Sequence, residues 1–392
     1  MARKTPHFDT RSIHSGEPRP RPDGAVVLPI YQSSTYEFRG EGDYHDVRYL
    51  RLSNNPNQVA LGDKLADLEG AEAAFVTASG MAAITAALLA HLRQGDHLLA
   101  QDCLYGGTHG FVTHDLPGMG VTHSLVPGDD PAAWRAALRP ETKVFYVETL
   151  SNPLLQVPLL EEVVAFAKEH GLLTIIDNTF ASPVNFRPAE HGYDLVVESA
   201  TKYLNGHSDI VAGLVAGRAA PVAAAKHKLD HLGGSLDPHA CFLLHRGLKT
   251  LGLRVRHQNA SAVRIAAAFA AHPAVACVHH PSLPDHPGHA RAARLFAGGS
   301  GMLSFELHGG AEAAERMFSE LQLPVVAPSL GGPETLVVRP ALAVHVNLTP
   351  AERAASGIAD GLVRLSVGLE DPADLIADFE RAFEAAAIGA LQ

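Results

Sequence analysis

The 392-residue sequence has few cysteines, no apolar run of membrane length and no excess of positive charge. Its three cysteines, Cys103, Cys241 and Cys277, are scattered, which argues against a disulfide framework and a zinc knuckle, so no metal is expected. The net charge of −11 argues against nucleic acid as a partner. Because no apolar segment follows Met1–Lys4 either, the sequence predicts a soluble, cytoplasmic protein without a membrane partner.

The sequence also lacks the Gly-x-Gly-x-x-Gly stretch that opens a helix after the first strand of nicotinamide-binding domains. Residues 58–250 nevertheless alternate helical and strand-like patterns, as such domains do. The absent glycines therefore argue against a nicotinamide-dependent oxidoreductase.

The length exceeds one ordinary core and predicts two domains with an additional arm. Residues 1–57 are rich in proline, arginine and glycine, so we expect an arm that contacts a neighbouring subunit. Residues 58–250 predict a large cofactor-binding domain with a mostly parallel sheet, and residues 251–392 predict a smaller C-terminal α/β domain.

The predicted elements follow from the apolar periodicity. Strands are predicted at Ala73–Thr77, His97–Ala100, Val121–Val126, Lys143–Glu148, Leu172–Asp177, Leu195–Ser199, Val211–Ala216, Met302–Leu307 and Leu362–Val367. Helices are predicted at Gln58–Leu68, Ala82–His91, Ala132–Leu138, Leu160–His170, Leu251–Ala271, Ala311–Leu321 and Pro372–Ala386.

A lysine follows one of these strands in the sequence Ser199-Ala200-Thr201-Lys202. A lysine amine held at a strand end in an apolar site can lose its proton and attack a carbonyl group. The hydroxyls of Ser199 and Thr201 can donate hydrogen bonds to a phosphate. Together they predict a lysine that forms a Schiff base beside a phosphate site, as pyridoxal 5'-phosphate requires. Taken alone, the lysine also fits a surface position at the end of a strand.

Two other stretches support the same cofactor. The strand Leu172–Asp177 ends on an acid, and a buried carboxylate must be paired or take part in chemistry. Asp177 would keep the ring nitrogen of pyridoxal phosphate protonated. The turn that contains Gly80 and Met81 precedes a predicted helix, and N–H groups at a helix start bind anions.

Several longer stretches are similar to those of known enzymes. They are Gly24–Thr35, Thr77–Ile84, Tyr105–Thr108, Ser151–Leu154, Asp177–Phe180, Ser199–Asp209, Arg246–Leu251 and Leu362–Asp371. In these stretches the sequence resembles the pyridoxal-phosphate enzymes of cysteine and methionine metabolism, the group of cystathionine γ-synthases, γ-lyases and β-lyases. The resemblance implies a fold type I pyridoxal-phosphate transferase that acts on a small-molecule amino acid and assembles as a homotetramer of two dimers.

The resemblance also implies roles for individual residues. The catalytic residues would be Lys202, Tyr105 and Asp177. The cofactor would be bound by these three together with Gly80, Met81, Ser199, Thr201, Tyr49 and Arg51. The substrate would be bound by Asn152, Ser329, Arg364 and Tyr49. Arg364 would hold the α-carboxylate, Tyr105 would stack on the pyridoxal ring, and Tyr49 with Arg51 would reach the phosphate of the adjacent subunit.

Specificity rests on a few positions where relatives differ. Methionine γ-lyases have a cysteine at the position of Gly107, and many bacterial γ-synthases and γ-lyases have a glutamate at that of Pro328. The β-lyases have Tyr-Ser-Trp where this chain has Pro328-Ser329-Leu330, whereas plant-type γ-synthases have Ala-Pro-Ser. These signs favour cystathionine γ-synthase, with γ-lyase next and β-lyase or methionine γ-lyase as alternatives. The stretch Tyr49–Asn57 departs from the usual pattern by one extra residue.

Two other interpretations concern the whole protein and one loop. A non-catalytic binding protein on the same scaffold is disfavoured by the presence of Lys202, Asp177, Tyr105 and Arg364. The histidines between His279 and His289 are interleaved with prolines, so both a metal site and a polar loop between a strand and a helix are open, and the loop is favoured.

Overall fold

The computed structural model describes residues 6–343, 346 and 349–388. Residues 1–5, which belong to the stretch examined for a targeting sequence, lie outside the described residues. The chain divides into two compact units, and each is described by itself. Unit 1 comprises Met1–Gln101, Phe111–Thr149 and Leu159–Leu253, and unit 2 comprises Asp102–Gly110, Leu150–Pro158 and Arg254–Gln392. The predicted division at residues 57 and 250 stays a prediction.

Unit 1 is built on a seven-stranded sheet. Its strands are β1 Ala73–Thr77, β2 His97–Gln101, β3 Thr122–Val126, β4 Thr142–Glu148, β5 Leu173–Asp177, β6 Leu195–Glu198 and β7 Gly213–Gly217. They are ordered β1-β7-β6-β5-β4-β2-β3. The pairs from β6 to β3 are parallel, whereas β7 is antiparallel to both β1 and β6. The mostly parallel sheet is confirmed, and the carboxyl ends of β4, β5 and β6 lie at one edge.

The main helices of unit 1 precede, connect or follow these strands along the chain. They are Phe8–His14, Pro56–Glu69, Gly80–His91, Pro131–Ala137, Leu160–His170, Ala219–Leu232 and Pro238–Leu248, with Leu251–Ala271 beginning in this unit. Helix Pro56–Glu69 begins two residues before its prediction because Asn55 caps it. The Asn55 side chain accepts the Asn57 N–H at 2.8 Å, while Gln58 accepts the Asn55 N–H at 3.0 Å.

The N-terminal segment contains a helix that was not predicted, Phe8–His14. Two turns carry too little periodicity to be recognised, and so short a helix depends on tertiary contacts. Arg11 supplies one such contact, since its Nε lies 2.8 Å from Asp67 Oδ2 on helix Pro56–Glu69. This part of the predicted arm is therefore attached to its own unit.

Unit 2 contains a five-stranded, mostly antiparallel sheet. Its strands are β8 Val275–His279, β9 Met302–Leu307, β10 Val325–Val326, β11 Leu336–Val338 and β12 Val363–Ser366, in the order β10-β11-β12-β9-β8. Only β10 and β11 pair in parallel. Its main helices are His289–Leu295, Gly310–Glu320 and Pro372–Ile388, together with most of Leu251–Ala271.

The core of unit 2 is aromatic. Phe269 contacts Phe305, Phe379 and Phe383 edge to face, with ring centroids 4.9 to 5.0 Å apart. All four side chains are buried, and alternate residues of β9 and β12 face them. The opposite face of this sheet is therefore available for polar residues, Arg364 among them. Among the described residues, no helix combines the length and apolar character needed to span a membrane.

Candidate functional site

Lys202 follows β6 in a series of turns and not in a helix. Its N–H donates a hydrogen bond to the Ser199 carbonyl oxygen at 3.0 Å, and its own carbonyl oxygen accepts one from Gly206 at 2.7 Å. The Ser199 N–H donates in turn to Thr179 Oγ1 at 2.9 Å. Backbone hydrogen bonds thus fix Lys202 at the carboxyl edge of the sheet, with a half-buried side chain.

Thr201 has a backbone partner that the sequence did not indicate. Its hydroxyl donates to the Ala212 carbonyl oxygen at 3.1 Å and accepts the Ala212 N–H at 3.0 Å, just before β7. A threonine hydroxyl has one proton to donate, so a phosphate would have to compete for it with Ala212. The predicted contact of Thr201 with phosphate stays a prediction.

A better anion site lies at the start of helix Gly80–His91. Ser79 Oγ caps the helix by accepting the Ala82 N–H at 3.0 Å. In the described part of the chain, the N–H groups of Gly80 and Met81 have no acceptor. A Cβ atom on Gly80 would lie 2.8 Å from the Ser199 Cβ and 3.0 Å from its hydroxyl oxygen. The absence of a side chain on Gly80 therefore lets Ser199 pack closely against the N-terminus of this helix, where phosphates bind.

Asp177 ends β5 and is 9% exposed. Burial raises the pKa of its carboxyl group, while hydrogen bonds from Thr179 and Tyr146 oppose this. The Thr179 N–H lies 2.9 Å from Oδ1, and the Tyr146 hydroxyl lies at the long distance of 3.5 Å from Oδ2. Within the described residues, no lysine, arginine or histidine forms an ion pair with Asp177. A buried carboxylate of this kind suits a cationic group such as a protonated ring nitrogen.

Two further buried acids, Glu69 and Glu198, were not predicted as site residues. Glu198 ends β6, is 2% exposed and accepts a hydrogen bond from Asn178 Nδ2 at 3.2 Å. Its carboxyl group contacts that of Glu69, which is fully buried, so the two form a hydrogen bond only when one is protonated. Burial raises the pKa of Glu69 to about 7 and that of Glu198 well above its usual range. The sequence offers one signal for this pair, because Glu198 is an acid at the end of a buried strand.

Arg364 lies in unit 2 on β12 and is 2% exposed. Its Nη1 donates to Asn152 Oδ1 at 3.2 Å and its Nη2 donates to the Ser329 carbonyl oxygen at 3.1 Å. The structure thus brings together the three residues predicted to hold a carboxylate. Ser329 has a φ of 100°, a strained value for a residue other than glycine. Backbone strain of this kind is common in loops that bind ligands.

Tyr105 also belongs to unit 2. It directly precedes the short helix Gly106–Gly110, and its carbonyl oxygen accepts the His109 N–H at 2.8 Å. Tyr105 is 41% exposed. Its stacking on a cofactor stays a prediction.

Arg51 and Tyr49 lie in unit 1, near residues of helix Ala219–Leu232. Arg51 Nη1 donates to the Asp230 carbonyl oxygen at 2.5 Å, and Nη2 donates to the Tyr44 hydroxyl. The guanidinium carbon lies 5.7 Å from the centre of the Tyr49 ring. The predicted contact of Tyr49 and Arg51 with the phosphate of an adjacent subunit stays a prediction.

The donor set of unit 1 fits pyridoxal 5'-phosphate. Gly80, Met81 and Ser199 offer the donors that a phosphate needs, and Asp177 offers the carboxylate that a pyridinium N–H needs. Lys202 supplies an amine at the same edge of the sheet as Asp177, because β5 and β6 are neighbouring parallel strands.

Comparisons with known proteins agree with this fit. The model of the family described as Cys/Met metabolism PLP-dependent enzyme matches residues 9–384. The L-methionine γ-lyase of Pseudomonas putida is 42% identical over 394 residues, covering 98% of this chain and 99% of the relative. The cystathionine β-lyase of Lactococcus lactis subsp. cremoris (strain MG1363) is 41% identical over 376 residues, covering 96% of this chain and 98% of the relative.

A solved structure shows the same likeness over the complete fold. The cystathionine γ-synthase from Xanthomonas oryzae pv. oryzae, in complex with cystathionine, superposes with a TM-score of 0.94 at 39% identity. The match covers 98% of this chain and 100% of that one. The chain therefore belongs to the pyridoxal-phosphate-dependent enzymes of cysteine and methionine metabolism and has their fold type I architecture.

Proposed function

We propose that this enzyme is a cystathionine γ-synthase, which joins an O-acylhomoserine to cysteine to form cystathionine. The observation that supports it is the loop Pro328-Ser329-Leu330, whose surrounding sequence resembles that of plant-type γ-synthases and whose Ser329 contacts Arg364. An acid at position 328 would attract a distal ammonium group such as that of cystathionine. Pro328 carries no charge and no donor, so this position offers no partner for the distal ammonium group of cystathionine.

Pyridoxal phosphate, when bound, supplies an electron sink for negative charge at the substrate's Cα. Asp177 would strengthen that sink by keeping the ring nitrogen protonated, since a cation would stabilise its buried carboxylate. Gly80, Met81 and Ser199 would bind the phosphate group, and the Lys202 amine would hold the cofactor at its aldehyde end.

Lys202 would also be the base that moves protons. Loss of a γ-substituent requires the removal of protons from Cα and then from Cβ, and the Lys202 amine would accept the first proton, pass it to a neighbouring acceptor and then accept the second. The Tyr105 hydroxyl would protonate or deprotonate groups of the substrate that lie near it. Elimination at Cβ needs only the first removal, so these residues permit both reactions.

Arg364 orients the substrate through its α-carboxylate. A guanidinium binds a carboxylate with two parallel hydrogen bonds, and a buried arginine does so without competition from water. Asn152 holds the guanidinium from one side, and the Ser329 carbonyl holds it from another.

Cystathionine γ-lyase is the second candidate, because it uses the same γ-chemistry. β-Lyase and methionine γ-lyase activities remain alternatives, since relatives with these names are equally similar in sequence. Gly107 disfavours the methionine γ-lyase, since that group has a cysteine there. The enzyme is proposed to be cytoplasmic and to assemble as a homotetramer of two dimers.

A product assay on the holoenzyme tests this function. We expect O-acetyl- or O-succinylhomoserine with cysteine to give cystathionine, and cystathionine alone to give 2-oxobutanoate and cysteine. Pyruvate and homocysteine as the main products from cystathionine would make this a β-lyase, and rapid methanethiol release from methionine would make it a methionine γ-lyase. Pro328→Glu is the matched variant, and it should raise turnover of cystathionine relative to that of the acylhomoserines.

A further inference from the structure

Three side chains of metal-binding type meet on the sheet of unit 2. Cys277 and His279 belong to β8 and Glu306 belongs to β9, and one ligand atom of each lies within 4.8 Å of the others. His279 Nε2 is 3.6 Å from Cys277 Sγ and 3.9 Å from Glu306 Oε1. None of the three has a part in the function proposed above.

The strand register explains why they meet. Cys277 is paired with Glu306, and His279 is paired with Ser304, so all four side chains lie on one face. Val278 and Phe305 point to the other face, where they pack in the aromatic core. Because β8 is the edge strand, its outer residues are open to solvent, and the side chains of His279 and Glu306 are each 29% exposed.

The cluster is separate from the proposed carboxylate site. Ser304 is paired with Arg364 on its other side, so His279 and Arg364 lie two strands apart in one row of the sheet. Two strand spacings amount to about 10 Å, which is too far for shared ligands.

The neighbouring loop histidines are engaged elsewhere. His280 contacts the Ser282 hydroxyl at 2.6 Å and the Ser300 carbonyl at 3.3 Å, and His289 contacts the Pro281 carbonyl at 2.9 Å. The predicted loop lies between β8 and helix His289–Leu295 and contains His280 and His286, but His279 ends β8 and His289 begins the helix. His279 differs from the other histidines because it is on the strand, beside Cys277.

We propose that Cys277, His279 and Glu306 bind a divalent cation of the zinc class. A thiolate, an imidazole and a carboxylate are the ligands that zinc prefers in proteins. Tetrahedral zinc with ordinary bond lengths places its sulfur and nitrogen ligands about 3.6 Å apart, which is close to the observed separation. Three protein ligands at a solvent-exposed edge leave the fourth position to water.

Cobalt(II) titration of the reduced holoenzyme tests the site. Four-coordinate cobalt with a thiolate ligand absorbs at the red end of the visible spectrum, where pyridoxal phosphate does not. We expect saturable absorption there for the wild type, its loss in Cys277→Ser, and at least about 10-fold weaker binding in Glu306→Gln. Cys241→Ala is the control and should bind as the wild type does, because Cys241 is 1% exposed and burial raises the pKa of its thiol.

A second measurement follows the thiol itself. Cys277 is the exposed cysteine, whereas Cys103 and Cys241 are buried, so iodoacetamide should modify Cys277 first. Zinc should slow that reaction about 10-fold or more. The proposal is overturned if wild type and Cys277→Ser bind cobalt alike, if the wild type shows no saturable binding, or if zinc leaves the alkylation rate unchanged.

Discussion

The interior of unit 1 contains acidic residues at the carboxyl ends of β5 and β6. Asp177 and Glu198 close two neighbouring strands, and Glu69 contacts the second of them. All three are buried, and burial raises the pKa of each. Asp177 has the cofactor's ring nitrogen as its proposed partner, whereas Glu69 and Glu198 contact each other, so the three acids should respond differently to substitution.

Replacing Asp177 with asparagine should lower kcat/KM at least about 100-fold, or close to 3 kcal/mol of transition-state stabilisation, because the ring nitrogen would lose its proton. Steady-state kinetics of cystathionine formation at matched cofactor content measures this. Tyr146→Phe is the control, since its hydroxyl makes only the long contact with Asp177. An unchanged kcat/KM in Asp177→Asn would mean that another residue holds the ring nitrogen.

Glu69 should make stability depend on pH. Because burial raises its pKa to about 7, the folded protein keeps a proton that the unfolded chain releases above the usual glutamate range. This stabilising contribution is complete below about pH 4.3 and is lost as the pH rises to about 7. Arg187 and Glu190 face Glu69, while Asp177 and Asn178 face Glu198.

Glu69→Gln should remove up to about 3 kcal/mol of this pH dependence, because glutamine donates a hydrogen bond to Glu198 at every pH. The test compares thermal midpoints of wild type and variant from about pH 5 to about pH 8. Glu312→Gln alters a surface acid with 90% side-chain exposure that does not face the pair, and it should keep the wild-type slope. Equal slopes for Glu69→Gln and the wild type would show that the pair does not share a proton.

Helix Gly80–His91 combines a structural and a binding role at its first turn. Gly80→Ala would place a Cβ 2.8 Å from the Ser199 Cβ and push that hydroxyl away from the open N–H groups. Affinity for pyridoxal phosphate should fall about 10-fold or more, near 1.4 kcal/mol, as measured by cofactor titration of the apoenzyme. Gly118→Ala has nothing within 4 Å of the added Cβ and should bind the cofactor normally. Unaltered affinity in Gly80→Ala would move the phosphate away from this helix.

For the whole molecule, the proposed dimer can be tested by complementation. Lys202→Ala should bind pyridoxal phosphate non-covalently and lose turnover, and Arg51→Ala should lose phosphate binding. If Arg51 completes the partner's site, a refolded mixture of the two inactive variants should regain about a quarter of the wild-type activity, because half of the sites in mixed dimers are intact. Lys168→Ala, on an exposed helical position, is the control for the lysine substitution. A fully active monomer in sedimentation would contradict the shared site.

The elements of both units could be predicted from the sequence to a large extent. Helices Leu160–His170 and Leu251–Ala271 and strand β9 have the predicted bounds, and the strands of the seven-stranded sheet shift by at most two residues at either end. Apolar periodicity is a property of the local sequence, so helices and strands can be recognised from it without knowledge of the tertiary structure. Helices Ala219–Leu232 and Pro238–Leu248 were not predicted.

The sequence by itself determined the strand-end lysine, the strand-end aspartate, the glycine turn before a helix and the family to which they belong. Only the tertiary structure decided which distant residues meet. Arg364 contacts Asn152 across 212 positions, Glu69 faces Glu198 inside unit 1, and Cys277 and His279 meet Glu306 across a strand pair. The physical reason is that a local pattern fixes which face of an element is buried, whereas strand order and register fix its neighbours.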